Sequence, residues 1–432
     1  MASPSSTQVR ASAHVDAARL QARLDALARI GATAHGGVNR QALSHEDALA
    51  QAEMTRWGAA IGLQAARDAA GNFFLRLPGR VPAAAPVLSG SHLDSQPTGG
   101  RFDGVYGVVA AFEAVQALVE TGVVPERPID VVAWMNEEGS RFAPGMMGSA
   151  VFAGERTLAE TEAATDAGGT SVGTALRQVQ ATLAQMQTEG LPAIAERALG
   201  GAVHAYVEAH IEQGPLLERM ATPVGVVTGI QGKHTWRIEV QGEAAHAGTA
   251  TRAERKDALL AALAMVQAMA AAFHDAGDVT RFTVGRFEVT PNAPSVVPSR
   301  VVFSIDLRHP DTTELQRMAD LVAALCDKHR GPCEVAVHLL SAADSLSFPA
   351  ALQARIRDTA RALGVPTLDL PSAAGHDARY LHGIAPAAML FVPCHLGITH
   401  NEAEYAQPED LYQGARVLAD VLQALACEQG AP

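Results

Sequence analysis

Three short apolar runs, at 86–90, 129–134 and 387–392, constrain the fold of this sequence more than any other feature. A stretch with helical periodicity, 107–120, separates the first run from the second. Continuous apolar runs are typical of strands that are buried on both faces. Strand, helix and strand in this order predict a mostly parallel α/β sheet with helices on both sides.

The middle of the chain has a different pattern. Residues 232–242 alternate apolar and polar side chains, as a strand with one exposed face does. The other strands and helices predicted for this region are strands at 281–289, 301–307 and 334–340 and helices at 256–274 and 314–329. We therefore predict an α+β domain, 230–342, inserted into a larger α/β domain that is formed by 1–229 and 343–432.

Composition narrows the class of protein. The 432 residues are 48% hydrophobic and 18% charged, with a formal net charge of −13, which predicts a folded chain with two domains. The acidic balance disfavours nucleic acid and anionic membrane surfaces as partners and favours small molecules. Four cysteines without a CxxC pair, and the lack of an apolar run of roughly 18 residues, predict a soluble, cytoplasmic protein.

Polar residues follow the first predicted core strand. His92 and Asp94 come directly after it, and Asp103 lies nine residues later between glycines. An imidazole can bind a metal ion while a nearby carboxylate orients it through its second nitrogen. Asp103 could then bridge two ions. The alternative is a pair of ordinary turns, since Asp and Gly are common turn residues.

A second polar cluster, Asn136-Glu-Glu-Gly139, follows the run that ends at Trp134. Adjacent carboxylates at a strand end point in different directions, so that one can bind a metal ion while the other acts as a general base. The alternative is a solvated turn. The position directly after a hydrophobic strand makes the two interpretations about equally favoured.

Two further histidines accompany carboxylates, in Glu208-Ala-His-Ile-Glu212 and in Thr399-His-Asn-Glu402. An isolated histidine near a strand end is usually structural, but these two accompany the earlier His, Asp and Glu. Such a set of imidazoles and carboxylates suits Zn²⁺ or Mn²⁺. The set predicts a two-metal hydrolytic centre better than a single ion.

The sequence resembles the hydantoinase/carbamoylase family of dinuclear-metal amidohydrolases, which is related to aminoacylases and glutamate-releasing carboxypeptidases. The resemblance runs from about Leu24 to Leu422. It is carried by ordered blocks, which include SGSHLDS, GGRFDGVYGV, NEEGSRF, EAHIEQGPLLE, TPNAPSVVPS, DLRHP, AGHDA and FVPCHLGITHNEAE.

The resemblance implies a role for individual residues. The implied metal ligands are His92, Asp103 and His210 for one ion and Asp103, Glu138 and His400 for the other. Glu137 is the implied general base. The implied substrate contacts are Gln213, His246, Asn292 and Arg308, with His246 also stabilising the tetrahedral intermediate. His376 and Asp377 are expected to support the site without binding metal.

The resemblance also implies an activity, a cofactor and an assembly. The expected reaction is hydrolysis of the carbamoyl C–N bond of N-carbamoyl-L-amino acids or N-carbamoyl-β-alanine. The expected cofactor is two divalent ions, Zn²⁺ first, with Mn²⁺, Co²⁺ or Ni²⁺ as alternatives. The inserted domain is expected to act as a lid and to form a homodimer. The alternatives are an allantoate or ureide amidohydrolase, an N-acyl amino acid or dipeptide hydrolase, and a catalytically silent dimeric binding protein.

Two positions in the inserted domain can be argued from the residues themselves. Asp306 and Arg308 share one strand face, and a planar guanidinium suits a bidentate clamp on a substrate carboxylate. The alternative for Arg308 is a salt bridge with Asp306. After His246-Ala-Gly-Thr the family usually continues Thr-Pro-Met, whereas this chain has Ala250-Thr-Arg252, so the loop beside His246 is expected to differ in shape or selectivity.

Overall fold

The computed structural model describes residues 9–428, which form two compact units. The larger unit contains the described residues up to Thr228, Phe348–Leu370, and those from His376 onward. The smaller unit contains Gly229–Ser347 and Pro371–Gly375. Each unit has its own hydrophobic core. The ends of the predicted larger domain, 1–8 and 429–432, lie outside the described residues.

The helices and strands have the following bounds. The helices are α1 (Ala17–Ala28), α2 (His45–Ala60), α3 (Val105–Glu120), α4 (Met147–Ala153), α5 (Leu158–Ala163), α6 (Val172–Thr188), α7 (Leu216–Arg219), α8 (Ala258–Ala272), α9 (Thr312–His329), α10 (Ala350–Ala362), α11 (Ala378–Leu381) and α12 (Pro408–Cys427). The strands are β1 (Gln64–Arg67), β2 (Phe73–Leu77), β3 (Val87–His92), β4 (Ile129–Trp134), β5 (Ile194–Glu196), β6 (Ala205–Ile211), β7 (Val224–Ile230), β8 (Gly232–Gln241), β9 (Ala245–His246), β10 (Arg281–Thr283), β11 (Phe287–Thr290), β12 (Val296–Val297), β13 (Arg300–His309), β14 (Glu334–Ala343), β15 (Leu346–Ser347), β16 (Thr367–Ser372) and β17 (Ala387–Val392).

The sheet of the larger unit has a parallel centre. Its strands follow the order β7, β17, β6, β3, β4, β2, β1 and β5. Strands β17, β6, β3 and β4 are parallel to one another and completely buried, while β7 and β2 flank them in antiparallel orientation. The prediction of a mostly parallel sheet with doubly buried strands is confirmed. Parallel strands bring their carboxyl ends to one edge, where open α/β sheets place their sites.

Helix α3 packs closely on this sheet. A Cβ atom on Gly107 would lie 2.3 Å from the carbonyl oxygen of Ala209 in β6, a distance that no side chain tolerates. Glycine at this position therefore lets the helix approach the strand that carries His210. The middle of the same helix carries Glu113, which is completely buried.

The smaller unit is built on an antiparallel sheet in the order β10, β13, β8 and β14, with β11 also pairing with β13. Strand β8 alternates buried and less buried side chains along its length, as the sequence pattern predicts. Helices α8 and α9 pack on the sheet, and their first turns are capped by the side chains of Asp257 and Asp311. The predicted strand at 281–289 is in fact two strands, because residues 284–286 leave the ladder around Gly285.

None of the helices within residues 9–428 combines the length and the apolar character that crossing a membrane requires.

We expect Glu113→Ala to lower the free energy of unfolding of the larger unit by about 3–5 kcal/mol, because it leaves partly buried Arg23 without a carboxylate and Arg19 with only the more exposed Glu120. Glu113 accepts hydrogen bonds from the backbone of Asp16 and from the side chains of Arg19 and Arg23. The matched control is Glu120→Ala, which removes a more exposed partner of Arg19 and should cost less than about 1 kcal/mol. Urea denaturation measures both, and equal losses would contradict this account.

Candidate metal centre

The carboxyl edge of the parallel strands carries the predicted ligand residues. His92 ends β3, Glu137 and Glu138 lie just after β4, and His210 lies in β6. Asp103 occupies the turn that leads into α3, and His400 follows β17 after a short loop. Residues that are far apart in the sequence therefore meet at one edge of the sheet.

The first cluster contains His92, Asp103 and His210, all buried, with one potential ligand atom from each lying within 4.8 Å of the others. Nε2 of His210 is 3.2 Å and Nε2 of His92 is 3.9 Å from Oδ1 of Asp103. The spacing leaves room for one ion among three ligand atoms. A Cβ atom on Gly104, whose φ is +64°, would lie 2.3 Å from the His92 ring, so glycine is required here.

The second cluster contains Asp103, Glu138 and His400. Nε2 of His400 is 3.2 Å from Oδ2 of Asp103 and 3.4 Å from Oε2 of Glu138. Asp103 thus offers Oδ1 to the first cluster and Oδ2 to the second. One carboxylate belongs to both clusters, which is the arrangement of a bridging ligand.

The two buried histidines turn their Nε2 atoms towards Asp103, and Nε2 of His210 also accepts a hydrogen bond from the backbone N–H of Gly104 at 3.2 Å. Nδ1 of His92 lies 2.8 Å from the carbonyl oxygen of Asp94, and Nδ1 of His210 lies 2.9 Å from that of Ile211. A carbonyl only accepts hydrogen bonds, so Nδ1 carries the proton in each ring. The lone pair of each neutral imidazole is therefore on Nε2, the atom that faces Asp103.

Asp94 acts differently from the sequence-based expectation. Its carboxylate is expected to orient the His92 ring, but the backbone carbonyl lies nearer, 2.8 Å from Nδ1 of His92, whereas Oδ1 of the carboxylate is 3.7 Å from the same nitrogen. The two carboxylate oxygens instead accept hydrogen bonds from the backbone N–H groups of Glu137 and Glu138, each at 3.2 Å. The sequence could not distinguish the two, because the same residue supplies both acceptors. Asp94 therefore fixes the Glu137-Glu138 turn.

The centre concentrates negative charge. Burial raises the pKa of Glu137 well above its ordinary value, and the nearby carboxylates Asp377, Glu138, Asp94 and Asp103 raise it further. Burial, followed by the charge of Asp103, raises the pKa of Glu138 to about 7. The ion pairs of Asp103, Glu137 and Glu138 are all to histidines. Burying this many carboxylates is costly unless positive charge lies beside them.

The donor chemistry fits a divalent cation. Both clusters offer imidazole nitrogen and carboxylate oxygen, which suit Zn²⁺ and Mn²⁺. The four cysteines of the chain are unpaired and belong to neither cluster. We conclude that the residues present can hold divalent metal.

Sequence reasoning gave no role to several residues that hold the ligands. Gln96 donates a hydrogen bond to Oε2 of Glu138 at 2.7 Å. Buried Glu404 accepts from the backbone N–H groups of Phe102 and Asp103, at 2.9 and 3.1 Å. The signals in the sequence were the position of Gln96 directly after the family block SGSHLDS and that of Glu404 at the end of the block FVPCHLGITHNEAE. Their contacts bridge distant segments, which residue patterns do not reveal.

Gln213, an expected substrate contact, also lies against the centre. Its Nε2 donates to Oδ2 of Asp103 at 3.0 Å, and Thr399 Oγ1 lies 3.2 Å from the same oxygen. The ring of His376 lies 4.6 Å from that of His210, and Asp377 accepts a hydrogen bond from Ser149. Together with Glu208 and His210, His376 forms a further group that could hold a metal ion.

The remaining predicted substrate residues are in the smaller unit. Nδ1 of His246 accepts hydrogen bonds from the backbone of Gly248 and Thr249, each at 3.1 Å. Its proton is therefore on Nε2, which is free to donate. Asn292 has a left-handed backbone, with φ +55°.

Arg308 makes the salt bridge that the sequence left as the alternative. Its Nε and Nη2 atoms bind the two carboxylate oxygens of Asp306 at 2.7 and 3.0 Å, and Nη1 donates to the carbonyl of Ala373. The bidentate edge that the sequence assigned to substrate is thus held by a neighbour two residues away on the same strand face.

Comparison with known proteins identifies a matching family and several relatives of this chain. Residues 88–424 match the model of Peptidase family M20/M25/M40. An N-carbamoyl-L-amino-acid amidohydrolase of Rhizobium meliloti is 38% identical over 412 residues, 94% of this chain and 95% of that protein. An allantoate amidohydrolase of Bacillus subtilis is 33% identical over 93% of this chain and 95% of its own length.

A solved structure agrees with these relatives. An amidase of the hydantoinase/carbamoylase family from Burkholderia multivorans is 41% identical, with a TM-score of 0.86 over 96% of this chain and 99% of its own. The predicted family, fold class and hydrolase class, with action on C–N bonds other than peptide bonds, are confirmed. The chain belongs to Peptidase family M20/M25/M40 and, within it, to the hydantoinase/carbamoylase amidases.

Proposed function

We propose that the protein hydrolyses the carbamoyl C–N bond of N-carbamoyl-L-amino acids or of N-carbamoyl-β-alanine. The observation that carries this proposal is the Asp103 carboxylate, which belongs to two ligand clusters, with the Glu137 carboxylate 3.7 Å from His92. Relatives that are 34–38% identical over most of the chain are named N-carbamoyl-L-amino acid amidohydrolases.

The proposed ligands are His92, Asp103 and His210 for one ion and Asp103, Glu138 and His400 for a second. Zn²⁺ is the first choice, with Mn²⁺, Co²⁺ or Ni²⁺ as alternatives. When bound, such ions lower the pKa of a water molecule and polarise a carbonyl oxygen. The shared carboxylate supports a count of two ions per chain.

Glu137 is the proposed general base. It accepts a proton from the attacking water and later returns it to the leaving nitrogen of the substrate. The amino acid and carbamic acid are formed, and the latter decomposes to CO₂ and ammonia. Asp94 accepts hydrogen bonds from the backbone N–H groups of Glu137 and Glu138. These bonds hold the turn that carries Glu137 in place for both proton transfers.

The proposed substrate contacts are Gln213, His246, Asn292 and Arg308. Nε2–H of His246 is a donor suited to the developing oxyanion, because Nδ1 of the ring accepts hydrogen bonds from the backbone N–H groups of Gly248 and Thr249. Asp306 orients the Arg308 guanidinium, which leaves donors on its other edge for a substrate carboxylate. Productive positioning makes the attack effectively intramolecular.

A second candidate is the hydrolysis of allantoate or another ureide. It is favoured by the Bacillus subtilis relative, whose name is allantoate amidohydrolase. The same ligand clusters would serve both reactions, since each substrate offers a ureido carbonyl. Substrate choice therefore rests on the pocket and not on the ligands.

We also propose that the protein is a cytoplasmic homodimer. The two copies associate through the smaller unit, which in this proposal also acts as a lid. Strand β14 lies at an edge of its sheet, and Leu339 and Leu340 on it are 56% and 58% exposed. An apolar edge strand is a surface that proteins usually cover. The unpaired cysteines fit a reducing compartment.

The substrate class is tested by ammonia release from the metal-loaded protein. The substrates are N-carbamoyl-L-amino acids, N-carbamoyl-β-alanine, allantoate, an N-acetyl amino acid and a dipeptide. We expect ammonia to be released from one or more carbamoyl amino acids. We expect no acetate from the N-acetyl amino acid and no free amino acids from the dipeptide. Turnover of allantoate alone would select the second candidate, and turnover of the dipeptide alone would refute both.

In the same assay, Glu137→Gln should lower kcat by about 10²–10⁴ because the proton acceptor is lost. Metal content should be unchanged, since Glu137 is not a proposed ligand. The control is Glu53→Gln, a helix residue paired with Arg56, which should keep normal kcat. A Glu137→Gln enzyme with near-normal kcat would exclude this residue as the base.

Metal and protons compete for the same atoms, so stabilisation by metal should grow with pH. Without metal, hydrogen bonding to Asp103 raises the pKa of His400 to about 9. Against the cost of burial, the same carboxylate raises the pKa of His210 to about 9. A raised histidine pKa stabilises the folded state at low pH, and this contribution is lost as pH rises from about 6.5 to about 9.

The measurement is the thermal unfolding temperature with and without Zn²⁺ at pH 6 and pH 8.5. We expect the metal-free protein to lose stability across this range and the increase due to Zn²⁺ to be larger at pH 8.5. The control is His338→Ala, on strand β14 of the smaller unit, which should keep the full increase. An increase that is larger at pH 6 would contradict metal binding at these histidines.

A further inference from the structure

A cavity of about 520 Å³ in the larger unit lies away from the ligand residues. Its wall is formed by the end of β1, one face of α6 and strand β5. None of the proposed metal ligands or substrate contacts lines it. The volume is within the range of sites that bind small molecules.

The unusual group in its wall is Arg67, the last residue of β1, which is 8% exposed. Its Nε and Nη2 atoms are shielded from solvent and have no hydrogen-bond partner among residues 9–428. Leaving these two donors buried without partners is costly, since each unmade hydrogen bond leaves a desolvated donor.

The nearest carboxylates do not satisfy these donors. Asp47 accepts hydrogen bonds from the backbone of Leu43 and the side chain of Gln51. Asp68 accepts from the backbone of Ala70 and from the backbone and side chain of Asn72. Both supply negative charge near Arg67, but their oxygens are engaged in their own turns.

The edge of Arg67 that lacks partners is the one that other arginines of this chain use for carboxylates. Nε and Nη2 of Arg76 bind the two oxygens of Asp130, each at 2.7 Å. Nε and Nη2 of Arg308 bind those of Asp306. Two parallel donors in this fork match the two oxygens of a carboxylate.

The other residues that line the cavity favour a ligand with a small charge and an apolar part. Arg197 is already paired with Asp130 at 3.1 Å. The acidic side chains of Asp68, Glu162 and Glu196 also line the cavity and would repel a doubly charged phosphate more strongly than a singly charged carboxylate. Apolar wall is supplied by Leu183, Ala184 and Ile194.

We propose that this cavity binds a small monocarboxylate, whose two oxygens accept hydrogen bonds from Nε and Nη2 of Arg67. Because these atoms are shielded from solvent in this structure, binding requires the Arg67 side chain to turn towards the cavity. The apolar part of the ligand packs on α6. This site is independent of the proposed function, since it uses neither the metal ligands nor Glu137.

The test compares isobutyrate with its neutral isostere isobutyramide and with inorganic phosphate, using ligand-observed NMR titration of the metal-loaded protein. We expect isobutyrate to bind and Arg67→Met to weaken it about tenfold or more, while isobutyramide does not bind. The matched control is Arg177→Met, an exposed arginine on α6, which should bind isobutyrate like the unchanged protein.

Arg67→Met is expected to lower stability, because it leaves the nearby buried carboxylates of Asp47 and Asp68 without a cation. If it does not fold, Arg67→Lys keeps the charge, loses the planar fork and should also bind isobutyrate at least about tenfold more weakly. Isobutyrate affinity that is the same in the unchanged protein and in a folded Arg67 variant overturns the proposal. Binding of phosphate but not isobutyrate through Arg67 also overturns it.

Discussion

The Asp103 carboxylate is the interaction on which the rest of this centre depends. It contacts His210 through one oxygen and His400 through the other, so it joins two ligand clusters that would otherwise be separate. The surrounding residues fix this carboxylate from several directions. Glu404 holds its backbone, and Gln213 and Thr399 contact its Oδ2 atom. The crowding of buried carboxylates around it is favourable only when cations are present, which links the fold to metal binding.

The fold and much of the candidate site could be predicted from the sequence because both depend on local pattern. The buried strand 129–134 and the helix 107–120 are visible as apolar runs with different periods, and the structure confirms them as β4 and α3. Polar residues directly after such strands lie at one edge because parallel strands share their direction. His92, Glu138 and His210 could therefore be grouped before any coordinates were known.

Contacts that depend on side-chain direction could not be predicted. Asp94 offers both a carbonyl and a carboxylate, and only the backbone geometry decides which one meets His92. For Arg308 the sequence left open a clamp on a substrate carboxylate or a salt bridge with Asp306, and only the structure shows that Asp306 binds its bidentate edge. Helix α6 was not predicted, although Ser171 caps it and its buried residues follow a helical spacing. Whether the Arg67 donors find partners depends on residues that are distant in the sequence and pack around β1. A local sequence pattern does not predict these contacts.

The most direct test of the shared carboxylate is a crystal structure of Mn²⁺-loaded protein with anomalous diffraction recorded at the manganese edge. Two anomalous peaks about 3.5–4 Å apart are expected, with one oxygen of Asp103 bound to each. His92 and His210 should bind one ion, and Glu138 and His400 the other. A single peak, or two peaks of which Asp103 binds only one, would contradict the account.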